Sequence, residues 1–252
     1  MRRPLVVANW KMNMTSPQAR QFCTTLRELI EGEMTAEAVI CPPYTSIETV
    51  RDSLAGSGVQ VGAQDFFPKP LGAFTGQVAI EMLLALDCRY AIVGHSERRQ
   101  HFQETAETIS EKVRVALDHD VIPILCVGES LSERSLGLTQ RVVGQQLLTG
   151  VKHLQPEELE RVVIAYEPLW AIGSGRAATG QDSSRVAAFV REKLDRLMNG
   201  RTELIRVLYG GSVKPENIAE FAAAPGVDGV LVGGASLDAA KFAALIRAYE
   251  VK

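Results

Sequence analysis

Four polar residues stand where apolar runs of sequence end. They are Asn9 and Lys11 in "NWKMN" (9–13), His95 in "GHSERR" (94–99), and Glu167 in "AYEPLWAIGSG" (165–175). A carboxylate can take a proton, an imidazole can give and receive one near neutral pH, and a lysine supplies a full positive charge. Each residue alone has a plainer reading. Glu167 could pair with a lysine, and His95 could be a satisfied structural histidine. Lys11 could be a solvated surface charge, an anion-binding charge or a Schiff-base amine. His95 has no metal partner at ligand spacing, because neither HxH nor HExxH occurs, so proton handling is the better reading. His101, His119 and His153 fall in helical or loop contexts and read as surface residues. Glu129 in "CVGE" and Glu97 read as structural acids, Glu97 paired with an arginine or with Lys11. Two glycine pairs complete the set: Gly210 and Gly211 before Ser212, and Gly233 with Gly234. Glycine lets backbone N–H groups approach an anion, although the same pairs could serve only as tight turns.

The elements that must position these residues are legible as an alternation. Apolar runs at 4–11, 38–43, 59–65, 90–96, 121–129, 162–168, 205–212 and 228–234 read as eight strands. Each is apolar on both faces, as a parallel strand covered by helices should be. Stretches of helical period lie between them. Ser16-Pro17 reads as a cap and first helical proline. Residues 105–120 carry Ile109, Val113, Val115, Ala116 and Leu117 facing away from Glu107, Glu111 and Lys112. Asn199-Gly200 reads as a helix end, and helix starts are expected at Lys214-Pro215-Glu216 and at Ser236. One strand–helix unit recurs about every thirty residues, which is what an α/β fold of the closed (β/α)8 barrel type needs. An open doubly wound sheet would usually carry GxGxxG after its first strand, and "ANWKMN" has no glycine. In a barrel the chemistry sits at the C-terminal strand ends, where the four polar residues fall.

Composition limits the alternatives. The chain has 252 residues, is 46% hydrophobic and 23% charged, and has a net charge of -3. No linker or composition shift divides it, so residues 1–252 are expected to form one catalytic barrel domain. Mild acidity argues against nucleic-acid and membrane-surface roles. No run of signal-peptide or membrane-spanning length is present. Cys23, Cys41, Cys88 and Cys126 are scattered without CxxC and read as reduced core residues of a cytoplasmic protein.

The motifs together resemble those of the triosephosphate isomerase family. The carriers are "NWKMN", "GHSERR", "CVGE", "AYEPLWAIGSG", "YGGSVKPENI" (209–218) and "LVGGASL" (231–237), in the family's order and spacing along the whole chain. The resemblance implies a (β/α)8 barrel that interconverts dihydroxyacetone phosphate and D-glyceraldehyde 3-phosphate, in glycolysis and gluconeogenesis, without metal or organic cofactor. It implies Glu167 as the base, His95 as the electrophile and proton shuttle, and Lys11 and Asn9 as stabilisers of the enediolate and phosphate. Gly173, Ser212, Gly233 and Gly234 match the phosphate grip, and Ser96, Glu97 and Cys126 match supporting positions. A helix start at His95 should disfavour its imidazolium form. Residues 168–178 match a lid with Pro168, Trp170, Ile172 and Ala178 among its parts. The loop at 72–77, "GAFTGQ", matches a homodimer loop, with Gln77 where the family usually has Glu, facing Arg98 of the partner subunit. Arg176-Ala177-Ala178 and Gly180 also depart from the usual pattern. A Schiff-base aldolase on the same fold would need a lysine on a central strand, and strands six and seven carry none. A non-catalytic protein on this fold is the other class; the full set of Lys11, His95 and Glu167 argues against it.

Overall fold

The computed structural model describes residues 2–32, 34–172 and 178–249. All eight expected strands form: β1 Leu5–Asn9, β2 Glu37–Cys41, β3 Gln60–Ala63, β4 Tyr90–Val93, β5 Ile122–Val127, β6 Val163–Tyr166, β7 Arg206–Tyr209 and β8 Gly229–Val232. They pair in parallel, in chain order, and close into a barrel through β1 and β8, with Leu5 opposite Gly229 and Ala8 opposite Val232. Helices follow the strands and pack outside, as the alternation predicts.

The double burial of each strand produces two cores. Leu5, Val7, Val39, Ile92, Ile124, Val163, Leu208 and Leu231 point into the barrel and fill it. Their neighbours along the chain, such as Val6, Ala8, Ile40 and Val93, face the helix layer. The period of two along each strand divides one apolar run between two interiors. Gly62 of β3 adds nothing to the inner core, because a Cβ there would meet the Cys41 Sγ at 2.8 Å. At the N-terminal mouth, the Tyr90 hydroxyl donates to Glu37 Oε1 at 2.6 Å and Arg206 Nη1 donates to Glu37 Oε2 at 2.7 Å. These polar groups satisfy one another at the closed end and leave the opposite mouth open for a site.

The strands are shorter than the apolar runs. Their last residues leave the ladder and turn into the loops that carry the polar tips. Thr15, rather than Ser16, is the N-cap of the helix Ser16–Leu29, and the Ser16 hydroxyl donates to the Thr45 carbonyl instead. Lys214-Pro215-Glu216 lies in a turn before the helix Ile218–Ala223. Ser236 does not start the last helix. It lies in a 3-10 turn, Gly234–Leu237, with its hydroxyl bonded to the Gly233 carbonyl, and Asp238 caps the helix Ala239–Arg247. Lys112 is the one residue of its helix whose direction is reversed: it is buried against Asp65, at 2.5 Å, and Glu104. Asp65, from the loop after β3, and Glu104, just before the N-cap of the same helix, give its ammonium partners that the helical period does not reveal. Asn199 ends the helix Gly180–Met198 in the left-handed conformation at φ 51°, as its type suggests.

Barrel closure has a steric condition at Gly229. Its φ is 154°, and a Cβ there would lie 1.8 Å from the Leu5 carbonyl oxygen, inside the β1–β8 seam. Gly229→Ala is therefore expected to lower unfolding stability by about 3 kcal/mol or more. Urea unfolding of the two proteins measures this; equal midpoints would show that the seam relaxes freely.

Candidate active site

The open mouth brings the polar tips together. A cavity of about 750 Å³ is lined by Asn9, Lys11, His95, Glu167, Ser212, Gly233 and Gly234, among others. Every described residue expected to do chemistry or hold phosphate is on its wall. Gly173 lies outside the described residues, as do Arg176 and Ala177.

Glu167 follows β6 and is fixed by backbone on both sides. Its N–H donates to the Val127 carbonyl at 2.7 Å, and the Gly210 N–H donates to the Tyr166 carbonyl at 2.7 Å. The neighbours must be glycines: a Cβ on Gly128 would lie 1.8 Å from the Glu167 carbonyl oxygen, and one on Gly210 would lie 2.9 Å from its Cγ. The carboxylate is 2% exposed. Oε1 lies 3.0 Å from His95 Nε2, and Oε2 accepts from the Ser96 N–H at 3.0 Å. Burial alone raises the pKa of this group. The His95 imidazole, the Ser96 N–H and the Lys11 charge outweigh burial and hold the carboxyl below its ordinary value.

His95 is the N-cap of the helix Ser96–His101, and its Nδ1 accepts from the Glu97 N–H at 3.2 Å. An accepting Nδ1 carries no proton, so in the neutral ring the proton is on Nε2, directed at Glu167. The expected effect of the helix start on the imidazolium is overtaken here. Burial does oppose the charged ring, but the Glu167 carboxylate, assisted by Glu97, outweighs it and raises the His95 pKa. The raising cause is local. A ligand that took Glu167's place against Nε2 would leave burial, the Glu97 N–H and the Lys11 charge, which favour the neutral ring, against the Glu97 carboxylate, which opposes it.

Lys11 has a left-handed backbone, φ 51°. Two side chains hold it there. Asn9 Oδ1 accepts from the Lys11 N–H at 3.0 Å, and Gln64 Nε2 donates to the Lys11 carbonyl at 2.8 Å. Its ammonium is 2.5 Å from Glu97 Oε1, one of the two pairings expected of that acid. Its stem lies against Gly233, where a Cβ would come 3.3 Å from the Lys11 Cε. Glycine thus brings this cation to the backbone of the loop after β8.

Residues that support the site divide into two groups. Cys126 is buried beside Glu167, and burial raises its thiol pKa well above the ordinary value, so it acts as packing and not as a nucleophile. Arg99 donates to the Gly94 carbonyl at 2.8 Å and the Cys126 carbonyl at 3.0 Å, tying β4 to β5 below His95. On the loop side, Glu129 Oε1 accepts from Trp170 Nε1 at 3.0 Å and from the Tyr166 hydroxyl at 3.1 Å. The Arg134 guanidinium covers the Trp170 ring at 4.4 Å and reaches Asp182 at 3.2 Å. Beyond 173–177, the Ala178 N–H donates to the Tyr209 hydroxyl at 3.0 Å. Glu129 is a structural acid, as expected, with the loop as its partner.

Gln64, Arg99 and Tyr209 were not singled out in the sequence. Gln64 does carry a signal, since it directly follows β3, but a neutral amide points to chemistry less strongly than a charged tip does. Among the described residues, no group of three or more His, Cys, Asp or Glu side chains is placed to hold a metal ion. No helix among them is long and apolar enough to cross a membrane.

Comparison with known proteins agrees with this geometry. The triosephosphate isomerase family model matches residues 4–249. The triosephosphate isomerase of Moorella thermoacetica is 50% identical over 246 residues, covering 98% of both chains. Those of Symbiobacterium thermophilum and Dictyoglomus turgidum are 48% and 43% identical, each over 98% of this chain and 97% and 100% of their own. The barrel, the converging tips and matches over nearly the whole length lead to one conclusion: the chain belongs to the triosephosphate isomerase family.

Proposed function

We propose that Glu167, His95, Lys11 and Asn9 carry out the family's reaction, the interconversion of dihydroxyacetone phosphate and D-glyceraldehyde 3-phosphate, a step of glycolysis and gluconeogenesis. The observation that carries this reading is the buried, ionised Glu167 in hydrogen-bond contact with a His95 whose proton is on Nε2. Glu167 takes the proton from the carbon beside the carbonyl. The C–H electron pair becomes the C=C bond of an enediolate, and the carbonyl oxygen gains negative charge. His95 donates from Nε2 to that oxygen and moves protons between the two oxygens. Lys11, with Asn9 beside it, offsets the charge of the enediolate and the phosphate. Substrate entering between Glu167 and His95 replaces their mutual hydrogen bond and favours the neutral imidazole. Ser212, Gly233, Gly234 and Gly173 hold the phosphate, mainly through backbone N–H groups. Ser96, Glu97 and Cys126 support the reacting side chains. The chemistry needs no cofactor.

Residues 168–178 close over the site and exclude water. Its apolar side chains and the contacts of Trp170 with Glu129 and of Ala178 with Tyr209 support this reading. We read residues 1–252 as one catalytic unit, cytoplasmic in location; the four free, buried cysteines fit a reducing compartment. The protein works as a homodimer through the loop at 72–77. Phe74 is 44% exposed, Leu71 59% and Met12 96%, which suits an apolar contact with a second copy.

Replacing Glu167 by Gln should lower kcat at least a thousandfold, a loss of roughly 4 kcal/mol in transition-state stabilisation. Substrate binding should survive. A variant with a tenth of the parent kcat would remove Glu167 from the role of base. Deleting residues 172–174 should lower kcat and raise the share of turnover that ends as inorganic phosphate and methylglyoxal. An unchanged phosphate yield per turnover would show that the loop does not shield the enediolate.

Gln77→Glu tests the dimer reading. Arg98 already has partners in its own chain, Asp65 at 2.9 Å and Glu104 at 3.5 Å. An added carboxylate from each subunit should therefore tighten the dimer only about fivefold at low salt, an exposed-pair gain of roughly 0.5 kcal/mol at each of the two symmetric contacts that fades at high salt. Sedimentation at two salt concentrations measures it. A salt-independent gain, or a parent protein monomeric at micromolar concentration, would contradict the account.

A further inference from the structure

The cavity extends well past the four reacting residues. Its outer wall carries Lys214, in the turn after β7, and Lys241, in the first turn of the helix Ala239–Arg247. Both are exposed. Among the described residues neither ammonium makes an ion pair or a hydrogen bond; their backbone N–H groups donate to Asn217 and Asp238.

The inner site, by contrast, offers an approaching anion little net attraction. Lys11 is paired with Glu97 at 2.5 Å, and Glu167 is in contact with His95 at 3.0 Å, so the charges of the floor largely offset one another. The whole chain is also negative, at -3. A phosphate dianion approaching that floor meets a near-neutral or negative field until it is close enough to compete with Glu97. The carboxylates facing the outer lysines are Glu216, on the same wall, and Asp238, which caps the helix of Lys241.

We infer that Lys214 and Lys241 form an outer station that captures the phosphate of the substrate before Lys11 receives it. Two unpaired cations at the lip of a concave wall raise the local concentration of a dianion. They act whether encounter or chemistry limits turnover, because either way more substrate stands at the mouth. Salt weakens their effect, because the Debye length falls from about 20 Å at about 20 mM to about 6 Å at about 300 mM ionic strength. Glu216 opposes them and sets the upper limit of the attraction. The inference rests on the proposed phosphorylated-triose substrate. It is separable from that reading, which fails if the parent protein does not isomerise the triose phosphate at all.

The test compares the parent with Lys214→Gln/Lys241→Gln and with Glu216→Gln, at about 20 mM and about 300 mM ionic strength. The double variant should lose three- to tenfold in kcat/KM for D-glyceraldehyde 3-phosphate at low ionic strength, with kcat held within twofold. That loss should shrink below twofold at high ionic strength. Glu216→Gln should raise kcat/KM at low ionic strength. Turnover of uncharged D-glyceraldehyde should be the same in all three proteins. An equal loss at both ionic strengths, a matching loss with D-glyceraldehyde, or no loss in the active double variant would each overturn the outer station.

Discussion

A carboxylate removed from water stays ionised only if its neighbours replace the water, and the environment of Glu167 is built around that requirement. His95 Nε2 and the Ser96 N–H each reach one oxygen at 3.0 Å, and the Lys11 charge acts from across the cavity. These groups arrive from three places: the tip of β4, the start of the helix that follows it, and the tip of β1. Only a closed barrel holds those tips around one mouth. The same burial that threatens the charge suits the proposed proton abstraction, because a base without a water shell has less solvent to shed before it meets a carbon-bound proton.

The site's precision comes mostly from backbone. Glu167 is held in register by the Val127 carbonyl and flanked by Gly128 and Gly210, where any Cβ would collide with it. Lys11 is kept in a left-handed conformation by the side chains of Asn9 and Gln64. The His95 tautomer is chosen by a backbone N–H at a helix start. Each device uses the turn from strand to loop, where the ladder has ended and N–H and C=O groups are free to engage side chains. This is why the strands stop short of their apolar runs.

Much of this was legible in the sequence, and for a physical reason. Parallel strands buried on both faces must be apolar throughout, so the polar residue ending each run marks a tip. Asn9, Lys11, His95 and Glu167 were readable that way. Contacts between distant segments were not. Lys112 looks solvated by helical period, and its burial is explained by Asp65, 47 residues away in the chain, together with Glu104 beside its own helix start. Gln64 supports Lys11 from the tip of β3, with β2 between them, and Tyr209 receives the Ala178 N–H across the mouth. Helix starts misled for a related reason. Ser16 and Ser236 carry capping side chains, but the Thr45 carbonyl and the Gly233 carbonyl claim their hydroxyls.

The central claim is that Glu167 and His95 move a proton and leave no hydride transfer in the path. Turnover of dihydroxyacetone phosphate in D2O, followed by NMR of the trapped product, tests it most directly. A proton held on the Glu167 carboxylate exchanges with solvent, so the account predicts carbon-bound deuterium at C2 of D-glyceraldehyde 3-phosphate. Product formed at the full rate with no carbon-bound deuterium would mean that the hydrogen never left the substrate as a proton, and would contradict the account.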